Sequence, residues 1–245
     1  MRTILEIKNI SKRFGGVKAL DGSTLEIKKG KIVAIIGPNG SGKTTLFNLI
    51  SNLLEKDKGE IYLNKKKITG KEDFEIAREG IARTFQDVRL FRNLTIKEHL
   101  EIALSDSDEQ LLKSIFKKEE DKGEKIREIL KLVGLNKSLE TIATDLSFGQ
   151  RKLLDLAVAI AKPHELLMLD EPVAGVNPSL REDIKEILRK LNKEGETIIV
   201  IEHDMNFVMD LVDYVYVLDQ GKVIAKGKPK EIQNNKKVLE AYLGD

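Results

Sequence analysis

A chain of 245 residues is long enough to bury one large core or two small ones. One third of its residues are charged, yet the signs nearly cancel at +2, so no strong field favours nucleic acid or an anionic membrane surface. There is no cysteine, which excludes disulfides and thiolate metal sites, and no apolar run near the about 20 residues that a membrane span needs.

MRTILEIKNI reads as an alternating strand rather than the apolar core of a secretory signal. The chain is therefore expected in a reducing compartment, with any membrane spans supplied by partners. The N-terminal part predicts strands at ILEIKNI, STLEIKK and KIVAIIG, broken by the turns of FGGVKALDG, as an antiparallel flank on a larger sheet. From Lys31 the pattern becomes buried strand, glycine loop and helix (TTLFNLISNLL), followed by strand in EIYL and IARTF. Between about Gln86 and Ala161 helical spacing takes over in TIKEHLEIAL, EQLLKSIFKKEE, GEKIREILKLVG and GQRKLLDLAVAIAK, which predicts a helical insertion. The charged stretch from Ser105 to Lys125 reads as a solvated helical face with a turn at Gly123. Strand and helix alternate again through ELLMLD, SLREDIKEILRKLNKEG, TIIVIE, MNFVMDLVD, YVYVLDQ and KVIAKG, before short C-terminal helices. The implied class is α/β.

GPNGSGKT, Gly37 to Thr44, matches the phosphate-binding P-loop pattern with a buried strand before it and a helix after it. Its glycines let backbone N–H groups curl around phosphates; Lys43 offers an ammonium to the β and γ phosphates and Thr44 a hydroxyl to Mg²⁺. Pro38, Asn39, Gly40, Ser41, Gly42 and Thr45 complete the nucleotide-binding stretch. ELLMLDEP ends a buried strand in two carboxylates, which are costly to bury unpaired and which lie at the sheet edge where ligands collect. Asp170 suits the Mg²⁺ shell and Glu171 a general base acting on water. His203 follows the strand TIIVIE, where a γ-phosphate would lie, whereas His99 and His164 read as ordinary. Gln86, at the end of IARTF, is open between structural and functional readings, and Phe14 between core residue and adenine-stacking ring. LSFGQ, Leu146 to Gln150, puts a serine at a helix entrance with a glycine two residues on, a pattern that leaves N–H groups for an anion.

In this order (an aromatic, GPNGSGKT, a lone glutamine, LSFGQ, LLMLDE and a later histidine) the chain resembles an ABC-type ATPase subunit over essentially its whole length. The resemblance implies one ABC ATPase domain over 1–245. Its P-loop NTPase (RecA-like) core with a β flank would be 1–86 and 162–245, and its helical signature subdomain 87–161, inserted after the Q-loop. It further implies ATP and Mg²⁺ as ligands, Phe14 as the adenine-stacking aromatic, Gln86 as the Q-loop glutamine beside Thr44 and Asp170 at the metal, and His203 as the switch histidine. GIARTFQDVRLFRNLTIKEHL, DEPVAGVNP and the tail from IEHDMNF onward are similar to ATP-binding subunits of branched-chain amino acid importers, whose relatives handle urea, amides or lipopolysaccharide. Three features depart from the usual pattern: a short stretch between Leu104 and Glu124, Asn177 where most members carry Asp, and Phe148 where the usual form has glycine.

One P-loop means one full phosphate cradle per chain, so a second grip at Ser147, Phe148, Gly149 and Gln150 is expected to serve a different chain's nucleotide. The resemblance implies a head-to-tail dimer with two ATP molecules between identical or sister chains, closed by ATP and opened by hydrolysis. It also implies membrane permease subunits docking near Gln86 to Leu94, where VRLFRNL mixes Leu90 and Phe91 with Arg89 and Arg92. An extracytoplasmic solute-binding protein acts indirectly, and the chain would sit peripherally on the cytoplasmic face of the membrane. The rival readings are a soluble ABC ATPase of DNA repair or translation, and a module that holds ATP without hydrolysing it. The first usually needs a second cassette or coiled coils that do not fit in this chain; intact Glu171 and His203 argue against the second.

Overall fold

The computed structural model describes residues 2–105 and 115–243. By internal contacts the chain divides into two compact units: Met1–Arg83, His164–Glu171 and Leu188–Asp245 form the first, and Thr84–Pro163 with Pro172–Ile187 form the second.

In the first unit, β1 (Thr3–Phe14) and β2 (Val17–Lys28) make a long antiparallel hairpin. Its turn is only Gly15 and Gly16, with Gly15 at φ 54 and Phe14 paired to Val17. The strands therefore run straight through most of FGGVKALDG, which the sequence reads as broken. Gly22, at φ 72, sits inside β2 near shifts in the pairing, as a kink rather than an end. β3 (Ile32–Ile36) leads into α1 (Lys43–Ile50). β4 (Lys58–Leu63) and β5 (Lys66–Lys67) complete a four-stranded antiparallel sheet in the order β2-β1-β4-β5.

After α2 (Asp73–Arg78), β6 (Ile81–Arg83) joins the larger sheet. The second unit holds α3 (Ile96–Leu104), α4 (Ile115–Leu132) and α5 (Phe148–Ala161). Among its described residues there is no β-strand, in line with the sequence pattern. Gly123 is helical within α4, so the expected turn there is absent; its φ is not positive and a Cβ at that place would meet only the end of Arg127, at 3.7 Å. The readings of EQLLKSIFKKEE and of the charged stretch from Ser105 lie partly outside the described residues.

β7 (Leu166–Asp170), α6 (Pro178–Lys193), β8 (Ile198–Ile201), α7 (Met205–Leu211), β9 (Tyr214–Asp219), β10 (Lys222–Gly227), α8 (Pro229–Gln233) and α9 (Lys236–Leu243) follow. The six-stranded sheet has the order β10-β9-β3-β8-β7-β6, parallel throughout except for β10. β3, β7 and β8 are buried at every position, as strands covered on both faces must be. Leu46, Phe47, Leu49 and Ile50 of α1 join a core with Ile35, Met168 and Ile199 of this sheet and Ile7, Leu25 and Ile61 of the other. That packing holds the start of α1 at the carboxyl ends of the parallel strands, where the chemistry-bearing residues collect.

Candidate functional site

The chain leaves β3 through Gly37 (φ 152) and enters α1 through Gly42 (φ 104). A Cβ on Gly37 would lie 2.0 Å from the carbonyl oxygen of Leu218, and one on Gly42 would lie 2.3 Å from that of Ala19. Both contacts are with backbone, so only glycine fits. Gly42 is also the N-cap of α1 and supplies no side-chain bond to it, leaving the first-turn N–H groups to the loop. Lys43 is 5% exposed, and its Nζ donates to the carbonyls of Gly37 (2.8 Å) and Pro38 (2.9 Å). Burial lowers its pKa below the usual lysine value of 10.5, against the opposing pull of Glu171 and Asp170. Thr44 is exposed on the first turn, while Ser41 is buried.

Asp170 ends β7 and is buried, and its Oδ2 accepts from Nη2 of Arg83 at 3.2 Å. Arg83 also donates from Nη1 to the hydroxyl of Ser51 (2.7 Å), with its guanidinium 5.4 Å from the centre of the Phe47 ring. Glu171 takes φ 49, an uncommon conformation for a non-glycine residue, fixed by its N–H donating to the carbonyl of Ile201 at 2.9 Å. Its Oε1 lies 2.8 Å from Nε2 of His203. The N–H of His203 donates to Glu202 Oε2 (3.1 Å), and Asp204 caps α7 through the N–H of Phe207 (3.0 Å). The first unit thus gathers Lys43, Asp170, Glu171 and His203 within electrostatic reach at one sheet edge. Phe14 stands beside the hairpin turn, 50% exposed and 5.7 Å from Nζ of Lys12, which removes the core reading.

The second unit carries the other expected residues. Gln86 is exposed, and its backbone carbonyl accepts from Nζ of Lys152 at 3.1 Å. Ser147 caps α5 in a reciprocal box: its Oγ accepts from the N–H of Gln150 (3.3 Å), and Gln150 Oε1 accepts from the N–H of Ser147 (3.0 Å). The N–H groups of Phe148 and Gly149 are not spent in that box. A Cβ on Gly149 would lie 2.5 Å from Cδ2 of Leu180, and the exposed Phe148 ring lies over Gly175, 3.2 Å from where its Cβ would be. Asn177 Oδ1 accepts from the N–H of Leu180 at 2.9 Å, a bond that an amide makes as well as a carboxylate.

Two residues escaped the sequence reading. Arg83 could have been noticed as a lone cation ending an apolar strand. His99 reads as ordinary on a helix face, yet it is 4% exposed; its Nε2 accepts from the N–H of Phe91 (3.0 Å) and its Nδ1 is 2.7 Å from the carbonyl of Thr95. It pins the turn that presents Phe91, which is 62% exposed. Among the described residues there is no cluster of three or more His, Asp or Glu that could hold a metal, and no helix is long and apolar enough to cross a membrane. A hydroxyl from Thr44 with the Asp170 carboxylate is a hard, oxygen-only pair, which suits Mg²⁺ when phosphate oxygens and water fill the remaining positions.

Residues 20–174 match the family model described as ABC transporter, and residues 222–245 match that of branched-chain amino acid ATP-binding cassette transporters. The probable branched-chain amino acid transport ATP-binding protein LivG of Archaeoglobus fulgidus is 42% identical over 245 residues, covering 98% of this chain and 95% of that protein. The high-affinity branched-chain amino acid transport ATP-binding protein BraF of Pseudomonas aeruginosa is 38% identical over 252 residues, covering 100% and 99%. Among solved structures, a nucleotide-free ATP-binding cassette from an ABC transporter superposes with a TM-score of 0.87 at 37% identity over the whole of both chains. A dimeric cassette bound to ADP and Pi does so with a TM-score of 0.82 at 29% identity, covering 92% of this chain and 99% of that one. The chain belongs to the ABC transporter family and is one of its ATP-hydrolysing cassettes.

Proposed function

We propose that this cassette powers an importer of branched-chain amino acids from the cytoplasmic face of the membrane. The observation that carries the reading is that the likeness to transport ATPases named for these amino acids runs the whole length of the chain, including the tail at 222–245. A purified complex with its permeases in lipid discs tests it. Leucine-loaded binding protein is expected to stimulate hydrolysis; equal or stronger stimulation with urea or a short amide would replace the solute.

In the chemistry we propose, the P-loop from Gly37 to Thr45 wraps the phosphates, with Lys43 turned toward the β and γ groups. Phe14 stacks on the adenine. Thr44 and Asp170 would hold Mg²⁺, with Gln86 the further ligand that the resemblance implies, and the ion would neutralise charge on the phosphates. Glu171 takes a proton from the attacking water. Its bond to His203 supports the assignment, since that contact aims one carboxylate oxygen and the strained backbone leaves little freedom to the rest. His203 in turn senses the γ-phosphate.

A second chain, identical or a sister, supplies Ser147, Phe148, Gly149 and Gln150 to complete each site. The N–H groups of Phe148 and Gly149 support this, standing at the positive end of a 14-residue helix outside its capping box. The domain reading is one ABC ATPase domain over 1–245, with a core of 1–86 and 162–245 and a helical signature part of 87–161. Permease subunits dock near Gln86 to Leu94, where the exposed Phe91 is the natural anchor. The extracytoplasmic solute-binding protein acts through them.

A further inference from the structure

Arg83 closes β6, a short edge strand paired in parallel with β7 in the register Ile81 to Leu166 and Arg83 to Met168. Asp170 stands two residues after Met168, on the same face of the sheet, so an arginine reaching forward along that face meets its carboxylate. The reach is made: Nη2 lies 3.2 Å from Asp170 Oδ2, with both side chains at most 5% exposed. The other arm of the guanidinium donates to Ser51 Oγ at 2.7 Å, while the hydroxyl of Ser51 donates to the carbonyl of Phe47 at 2.8 Å. Ser51 is the C-cap of α1, the helix whose first residue is Lys43. One planar fork therefore joins the far end of the P-loop helix to the acid at the end of β7.

We propose that Arg83 is a positioning residue for the metal site: it fixes the direction of the Asp170 carboxylate relative to α1. A carboxylate hydrogen-bonded by a rigid, doubly anchored donor is held in one orientation before any metal arrives. A lysine would supply the charge but only as a point, without the second bond to Ser51. The proposal rests on the reading of Asp170 as a Mg²⁺ ligand, and the test separates the two.

The full chain is titrated with ADP by calorimetry over a range of Mg²⁺ concentrations, with metal-free ADP affinity as the baseline and thermal melting as a check on folding. For Arg83→Met the Mg²⁺ concentration at half effect is expected to rise by about tenfold or more, with metal-free ADP affinity changed by less than about twofold. Arg83→Lys and Ser51→Ala are expected to fall between it and the wild type. Asp170→Asn is expected to lose the Mg²⁺ effect, and adding Arg83→Met to it should change nothing further. A wild-type Mg²⁺ midpoint in Arg83→Met, with the effect lost in Asp170→Asn, overturns the role of Arg83 and leaves the metal reading standing. A full Mg²⁺ effect in Asp170→Asn removes the metal reading and this inference with it. If Arg83→Met does not fold, Arg83→Lys decides: a raised midpoint supports the proposal and an unchanged one overturns it.

Discussion

The two glycine-containing helix entrances of this chain are finished in opposite ways. α1 starts at Gly42, which offers no side chain to cap it. α5 starts at Ser147, which closes a reciprocal box with Gln150 and satisfies the N–H three residues on from its own sequence. The first entrance carries Lys43, with Asp170 and Glu171 within electrostatic reach of it and His203 bonded to Glu171. The second has an exposed serine and phenylalanine, with Nζ of Lys152 5.9 Å from the centre of the Phe148 ring. One is a cradle that can grip phosphate alone. The other is a stable helix end with a few donors to spare, which suits a group that supplements a site held elsewhere.

The largest effect is expected at the first entrance. Glu171→Gln keeps the volume and the hydrogen bonds but cannot take a proton, so turnover should fall by about 10²–10⁴-fold with nucleotide binding retained. Steady-state hydrolysis beside equilibrium binding of ATP checks it, and unchanged turnover removes the base assignment. The same small substitution at both entrances then sharpens the contrast. Gly37→Ala drives a Cβ into the Leu218 carbonyl, and roughly 3 kcal/mol or more of stability should be lost. Gly149→Ala meets only a methyl of Leu180 that can move, and it gains helix propensity, so its net cost should stay below about 1 kcal/mol. Urea unfolding of the two variants gives the ranking.

Asp170 and Asp155 differ as the entrances do. Asp170 is paired with Arg83, whereas Asp155, inside α5, is pushed by burial from 3.8 to about 7, with Lys152 only partly offsetting. The folded state then holds a proton that the unfolded state has lost between these values, so stability falls as pH rises from about 4 to about 7 and levels above. Asp155→Asn should remove that slope and add roughly 2 kcal/mol at pH 8, a discounted share of three units at about 1.4 kcal/mol each. Melting curves at pH 5 and pH 8 decide it; a variant no more stable than wild type at pH 8 would count against a strained acid. Ser147→Ala should cost about 1 kcal/mol as a lost cap. Its hydrolysis should nevertheless fall by more than that loss of folded protein accounts for. A loss of stability alone would reduce Ser147 to a cap.

The parallel sheet, the P-loop and the helical stretch could be read from sequence because each has a period or spacing of its own. The buried strand IVAII carries no polar residue, and LLMLD carries none before the acid at its end. The hairpin at Gly15 and Gly16 was harder, since Gly22 punctuates the sequence like a second turn but is absorbed as a kink within a paired strand. Gly123 misled for the converse reason: a glycine in a charged stretch looks like a break, but α4 carries it with ordinary helical φ. At the site, motif residues were legible because phosphate chemistry dictates both type and spacing. The partners of those residues were not. That Arg83 meets Asp170, or that His99 holds the turn of Phe91, depends on strand register and helix rotation, which no local spacing encodes.

We propose that each hydrolytic site is shared by two chains, and mixing two dead variants tests this most directly. Lys43→Ala disables the cradle and Ser147→Arg disables the supplementing helix end, so each alone should be inactive. In a head-to-tail pair of one of each, the intact cradle of the Ser147→Arg chain meets the intact α5 entrance of the Lys43→Ala chain. Hydrolysis should therefore reappear on mixing, in proportion to the mixed pairs formed. A mixture as inactive as its components, with mixed pairs demonstrated by cross-linking, would contradict a site built from two chains.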